Sequence, residues 1–290
     1  MGITNSTLAP FVTIGLPVYN GEKYLSLALD SLLAQTFTDF EIIISDNAST
    51  DNTEKICNDY AKKDKRIKYF RQDRNIGVVK NFLFVREEGA RSKYFMWAAH
   101  DDLWAEDWLK VLLAEFKSDD LAVRGKVTNI DENGNTLGLT NVTSFNKGQV
   151  VKVFMDNEKN CRAFYWYALF NNQLLSQANL KYLDLDSTFG ADVLLITHLV
   201  QFGALRTTEK TTQLYRRHTN SSTNLHAKHW FGLRKVIYYL FPINTYLFTI
   251  KIVNIKYKPL IFMAVPFKFI KSQFDIWPRI FKLLFTGSTL

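Results

Sequence analysis

Four short apolar runs, each closing on a polar cluster and separated by stretches of helical spacing, limit this chain to a narrow set of folds. Phe11-Val12-Thr13-Ile14-Gly15-Leu16 has the pattern of a buried strand ending at Pro17, and Phe40-Glu41-Ile42-Ile43-Ile44-Ser45 of a second. Ile67-Lys68-Tyr69-Phe70 supplies a third, and Tyr94 to Ala99 a fourth. Between them, Tyr24, Leu25, Ala28, Leu29, Leu32 and Leu33 recur at helical spacing. A helix is predicted from about Asp51, which lies three residues before Glu54, to Lys63. Further helices are expected after Asn75 and from Trp104 to Phe116. Alternating strands and helices build βαβ units and a mostly parallel sheet flanked by helices. Ligands in such sheets sit beyond the carboxyl ends of the strands. The first, second and fourth ends carry Pro17-Val18-Tyr19-Asn20, Asp46 and Asp101-Asp102, so these clusters should meet in one crevice.

After Asp120 the pattern changes. Leu121 to Ile130 alternates as a strand, Glu132 to Asn135 is a turn, and Phe164 to Leu174 is aromatic and apolar. Gly190-Ala191-Asp192 opens a helical run over Val193 to Val200, and Leu205 to Tyr215 is extended before Arg216-Arg217-His218. With 47% hydrophobic residues, the 290-residue chain can support a large core. The two cysteines, Cys57 and Cys161, match no metal spacing and no disulfide framework. Met1 to Pro10 has neither a basic patch nor an apolar core, so no export signal is predicted and a cytoplasmic protein is expected.

Charge divides the chain further. Residues 228–290 hold ten Lys/Arg against Asp275, a balance of +9. The first 227 residues hold the other 26 Lys/Arg against 27 acids, a balance of −1. This basic segment is rich in Phe, Ile, Leu, Tyr and Trp, but its longest uncharged run, Val236 to Ile250, falls short of the roughly 20 residues of a spanning helix. Short helices lying on an anionic membrane surface fit that pattern, with packing on the preceding domain or a homodimer contact as the other arrangements. The expected organisation is a domain over 1–227, with a nucleotide-binding half at 1–120 and an acceptor half at 121–227, and an extension over 228–290.

Pro17-Val18-Tyr19-Asn20 with Glu22, the run Ser45 to Thr53, Arg74-Asn75-Ile76-Gly77 with Asn81, and His100-Asp101-Asp102 occur in that order. Together they make residues 11–120 resemble the family 2 glycosyltransferases, and the likeness continues more loosely to about 224. The resemblance implies the GT-A nucleotide-diphospho-sugar transferase fold. It also implies inverting transfer from a nucleotide sugar, a UDP-sugar by its uracil-type contact, to a saccharide or lipid-linked saccharide hydroxyl. A divalent cofactor, Mn²⁺ or Mg²⁺, follows. The basic segment adds the expectation of a peripheral place at the cytoplasmic face of the membrane.

By the same resemblance, Pro17, Val18, Tyr19, Asn20, Glu22, Asp46, Arg74 and Asp101 belong to nucleotide binding, and Asp102 with His218 to the metal. Asp192 is the candidate general base, which would take the acceptor hydroxyl's proton; Asp184 and Asp186 are its nearby competitors. Two departures stand out: Ala99 where an acid is common, and Ala191 before Asp192 where a second acid is common. The Gln-x-x-Arg-Trp motif of processive synthases is absent, which implies single-sugar transfer. A catalytically inactive nucleotide-binding protein is the alternative. A nucleic-acid binder would explain the basic segment but leaves the acids at the strand ends without a role.

Overall fold

A computed structural model describes residues 9–155, 162–178, 180, 191–218, 249–250 and 253–270. Side chains of 162–163 and 191–194 lie outside the described set. Nine strands form one mixed sheet. The first half supplies β1 (Val12–Val18), β2 (Phe40–Asp46), β3 (Ile67–Arg71) and β4 (Tyr94–Trp97), ordered β3-β2-β1-β4 and all parallel. β1 and β2 are buried along their whole length, as strands covered on both faces must be, which is why they read as unbroken apolar runs. Helices α1 (Leu25–Leu33), α2 (Thr53–Lys63) and α3 (Val78–Glu88) connect them.

β1 continues through Pro17 to Val18, contrary to the expected stop. Pro17 lies past the last β1–β4 pair, Gly15–Trp97, where a missing N–H is tolerated. α2 begins two residues later than expected. Asn52 is its N-cap residue, and Asp51 instead accepts the Thr53 N–H through Oδ1.

The second half extends the same sheet with antiparallel and parallel strands. β5 (Leu103–Trp104) precedes α4 (Trp108–Glu115), so the helix expected from Trp104 starts a turn later. β6 (Asp120–Ile130), β7 (Thr136–Thr140), β8 (Leu169–Asn171) and β9 (Ala204–Arg216) complete the order β4-β8-β6-β9-β5, with β7 on β6. β8 is antiparallel to both neighbours, whereas β6 and β9 run parallel. α5 (Val150–Met155), a 3-10 helix (Arg162–Tyr167), α6 (Asn172–Leu175) and α7 (Ala191–Leu199) accompany them.

Two apolar cores result. One joins β1, β2, α1 and α4 through Ile14, Leu29, Ile42 and Trp108. The other joins Phe95, Trp97, Phe145, Phe154, Phe170 and Ile196, and it also takes in Val253, Ile261 and Ala264. A helix over residues 258–270, here α8, is therefore docked on the domain by one face.

Candidate active site

The loops after β1 and β2 are held by each other. The Asn20 N–H donates to Ser49 Oγ (2.9 Å), and Asn20 Oδ1 accepts from the Thr50 N–H (2.9 Å). The Gly21 N–H donates to Thr53 Oγ1 and the Glu22 N–H to Asp51 Oδ2. In return, Glu22 Oε2 accepts from both the N–H and the Nδ2 of Asn52. Glu22, which the resemblance puts on the nucleotide, thus has a carboxylate already engaged in joining the loops. Asn20 (φ 51°) and Ala48 (φ 59°) are non-glycine residues in the left-handed region, a conformation costing roughly 1–2 kcal/mol that the surrounding bonds must hold. At Gly21 a Cβ would come within 2.9 Å of His100 Cδ2, so only glycine lets the β1 loop approach the β4 loop this closely.

Arg74-Asn75-Ile76-Gly77 is tied to the same assembly. Asn47 Nδ2 donates to Asn75 Oδ1, and the Ile76 N–H donates to Asn47 Oδ1. Buried Asn81 on α3 donates through Nδ2 to the Ser45 carbonyl and accepts from Ser45 Oγ. Tyr19 and Arg74 are exposed in the surrounding loops.

Asp46 closes β2 with a fully buried carboxylate. Oδ1 accepts from the Ser49 N–H, whereas Oδ2 accepts from Tyr69 Oη (3.0 Å) and Arg71 Nη1 (2.6 Å). A carboxylate has about four acceptor positions, so one is left for a ligand donor. Burial, and then the bond to Asp46, push the Tyr69 phenol well above its usual range. Arg71 also donates to the Ser49 carbonyl, and it was missed in the sequence. Its signal was the register: Arg71 pairs with Asp46 across parallel strands, at the end where ligands gather.

Asp101 and Asp102 part company. Asp102 is fully buried; Oδ2 accepts from Gln213 Nε2 (2.7 Å) and Oδ1 from the Arg216 N–H (2.9 Å). Gln213 Oε1 in turn accepts from Arg124, which is itself fully buried. Burial, and then the adjacent Asp101 charge, push the Asp102 carboxyl well up. Asp101 instead meets His218, with Oδ2 at 2.8 Å from Nε2. Burial works to raise its pKa, but the His218 hydrogen bond and the charges of His100 and His218 hold it below the usual carboxylate range. Asp101, not Asp102, is thus the carboxylate beside the candidate metal-ligating histidine.

Arg216 frames this pair. It donates to the carbonyls of Asp101, Asp131 and Glu132, and its guanidinium lies over the Tyr24 ring at 4.7 Å. Tyr24 also touches the His218 ring, at 5.1 Å between centroids. Among the described residues no group of three or more His, Cys, Asp or Glu side chains could hold a metal alone. Mg²⁺ and Mn²⁺ commonly use one or two carboxylates plus substrate phosphates, so Asp101 with His218 fits such an ion. The imidazole favours Mn²⁺ of the two.

The sequence itself matches a known family over more than half of the chain. The sequence model described as "Glycosyl transferase family 2" covers residues 13–177. The chain belongs to that family. A Haemophilus influenzae protein described as an uncharacterized glycosyltransferase is 24% identical over 226 residues, 75% of this chain and 68% of that one. A Rickettsia typhi protein with a similar description is 38% identical over 99 residues, 34% of this chain. This chain spans only 30% of that relative's length. Among solved structures, Staphylococcus aureus TarS residues 1–349 with UDP-GlcNAc superposes with a TM-score of 0.57. It is 18% identical, over 90% of this chain and 88% of that one. A Pyrobaculum calidifontis mannosyltransferase with GDP-Man and Mn²⁺ gives 0.57 at 14% identity, over 92% of this chain and 74% of that one. Both likenesses establish the GT-A fold.

In this member of the family, Asp192 is the second residue of α7, and its side chain lies outside the described residues. Asp184 and Asp186 lie outside them too. α7 packs on the 3-10 helix, which lies against β4 and β6. The motif residues therefore divide here. Asn47, Asn75 and Asn81 join the loops, Asp46 and Asp101 place carboxylates at the same strand ends, and His218, from beyond the motif, meets Asp101.

Proposed function

We propose that this glycosyltransferase moves a sugar, with inversion, from a UDP-sugar to a hydroxyl of a saccharide or lipid-linked saccharide at the cytoplasmic, anionic face of a membrane. The observation that carries the reading is Asp101 facing His218 at 2.8 Å, at the same end of the sheet as Asp46. Nucleotide diphosphates in the neighbours TarS and the Pyrobaculum enzyme add support.

The remaining acceptor position on Asp46 suits the N–H of a uracil edge, and Arg71 beside it suits a carbonyl of the same base. Exposed Tyr19 offers a ring for stacking. Asp101 and His218 would hold Mn²⁺ or Mg²⁺, which when bound neutralises the charge that develops on the departing diphosphate. Asp102 we assign to positioning: through Gln213 and the Arg216 backbone it fixes the β4 loop to β9. Arg216 holds the Asp101 carbonyl and so the direction of the adjoining side chain. Asp192 takes the proton from the acceptor hydroxyl as that oxygen attacks the anomeric carbon opposite the diphosphate.

Release of UDP from UDP-GlcNAc or UDP-glucose, against release of GDP from GDP-mannose, with Mn²⁺ tests this directly. Asp192→Asn is expected to slow release from the UDP-sugars about 100-fold, with UDP binding unchanged. Equal turnover by the variant would move the base elsewhere. Nucleotide binding with no turnover of any donor, with or without saccharide acceptors, would favour the inactive alternative.

A further inference from the structure

Helix α8 has apolar side chains on both of its faces. Ile261 and Ala264 are buried against the domain core. The opposite face carries Leu260, Phe262, Met263, Phe267 and Ile270, of which Phe262 is 71% exposed, Met263 58% and Phe267 67%. No exposed position from 259 to 270 bears a polar side chain. Apart from half-buried Lys258 and Lys268 the helix is apolar, and a helix that is hydrophobic on every face is ordinarily covered on all sides. Exposed apolar patches of this kind mark a docking surface.

We infer that this face is the membrane-docking surface of the enzyme, and that it enters the headgroup–acyl boundary of an anionic bilayer with α8 lying in the plane. Three observations fit a bilayer, and the first favours it over a second copy of the chain. First, Lys256 is exposed just before the stripe, and Lys251, Lys271, Arg279 and Lys282 flank α8 in sequence. That excess of basic charge complements anionic headgroups, whereas the core of a protein interface is depleted in charge. Second, among the described residues no helix is long and apolar enough to cross a membrane. A helix with one face packed on a domain and an apolar outer face suits an in-plane position at an interface. Third, Ile261 and Ala264 already fix the other face to the folded domain, so docking needs no rearrangement. This surface deepens the proposed membrane setting of the acceptor and rests on it for its biological purpose, but not for the binding itself.

The test is co-sedimentation of the full chain with phosphatidylcholine–phosphatidylglycerol vesicles, in the absence of donor, metal and acceptor. Met263→Glu/Phe267→Glu should weaken partitioning at least tenfold, because two large apolar groups are lost from the boundary. Leu137→Glu/Leu139→Glu, which places the same charges on the exposed face of β7, should leave it unchanged. Binding should also fall on pure phosphatidylcholine. Failure of the full chain to bind, or equal binding by the α8 variant, overturns the inference. A dimer in sedimentation equilibrium that the α8 variant dissociates, without vesicle binding, would assign the face to a second copy. Because no substrate is present, a chain that binds vesicles but releases no UDP would fail only as a transferase, and the reverse outcome would fail only this surface.

Discussion

The strand-end loops and helix α8 are held to the molecule in opposite ways. The loops at 17–22 and 45–53 are tied to each other by a set of directional hydrogen bonds. α8 buries the apolar side chains of Ile261 and Ala264 against the domain on one face. A polar lattice fixes direction, because each bond has a required geometry. Apolar burial fixes position with little directional demand. The proposed site, which would have to aim at a substrate, uses the first means, and the proposed docking helix, which would only have to rest on a surface, uses the second.

Three substitutions sharpen that contrast, beginning with the largest effect. Asp46→Ala removes the acceptor of Tyr69, Arg71 and the Ser49 N–H together. It should cost about 3 kcal/mol in urea unfolding. A loss below about 1 kcal/mol would mean that the lattice does not stabilise the loops. Ile261→Ala should cost about 2 kcal/mol, at the low end of core truncations because α8 can settle into the gap. Hydrogen exchange should show that loss confined to α8 and its neighbours; an equal loss at β1 and β2 would show that the two regions unfold as one. Phe267→Glu should change stability by less than about 0.5 kcal/mol, since its side chain is largely exposed. A larger loss would mean that the stripe is covered by the chain itself.

Much of the first half was legible in the sequence because buried parallel strands and their polar ends leave a local signature. β1, β2 and β4 fall where the apolar runs stop, and Asp46 and Asp101 lie at those stops. β5 was not legible, since a two-residue strand exists only through its pairing of Leu103 and Trp104 with β9. Nor could spacing tell which of two adjacent carboxylates turns inward. Gln213 and the Arg216 N–H decide that for Asp102, and both arrive on β9 more than a hundred residues later. Arg71 was passed over for Arg74 for a similar reason: its contact with Asp46 depends on cross-strand register, not on the loop motif.

As proposed, Asp101 and His218 would hold the divalent ion that assists departure of the diphosphate. Calorimetric titration of UDP, with Mn²⁺ and then with chelator, in the intact chain and in Asp101→Asn tests that role. UDP is expected to bind the intact chain at least about tenfold more tightly with Mn²⁺. In Asp101→Asn that gain should vanish while thermal stability stays close to that of the parent. Equal UDP affinity with and without Mn²⁺ in the intact chain, or a full Mn²⁺ response in Asp101→Asn, would contradict it.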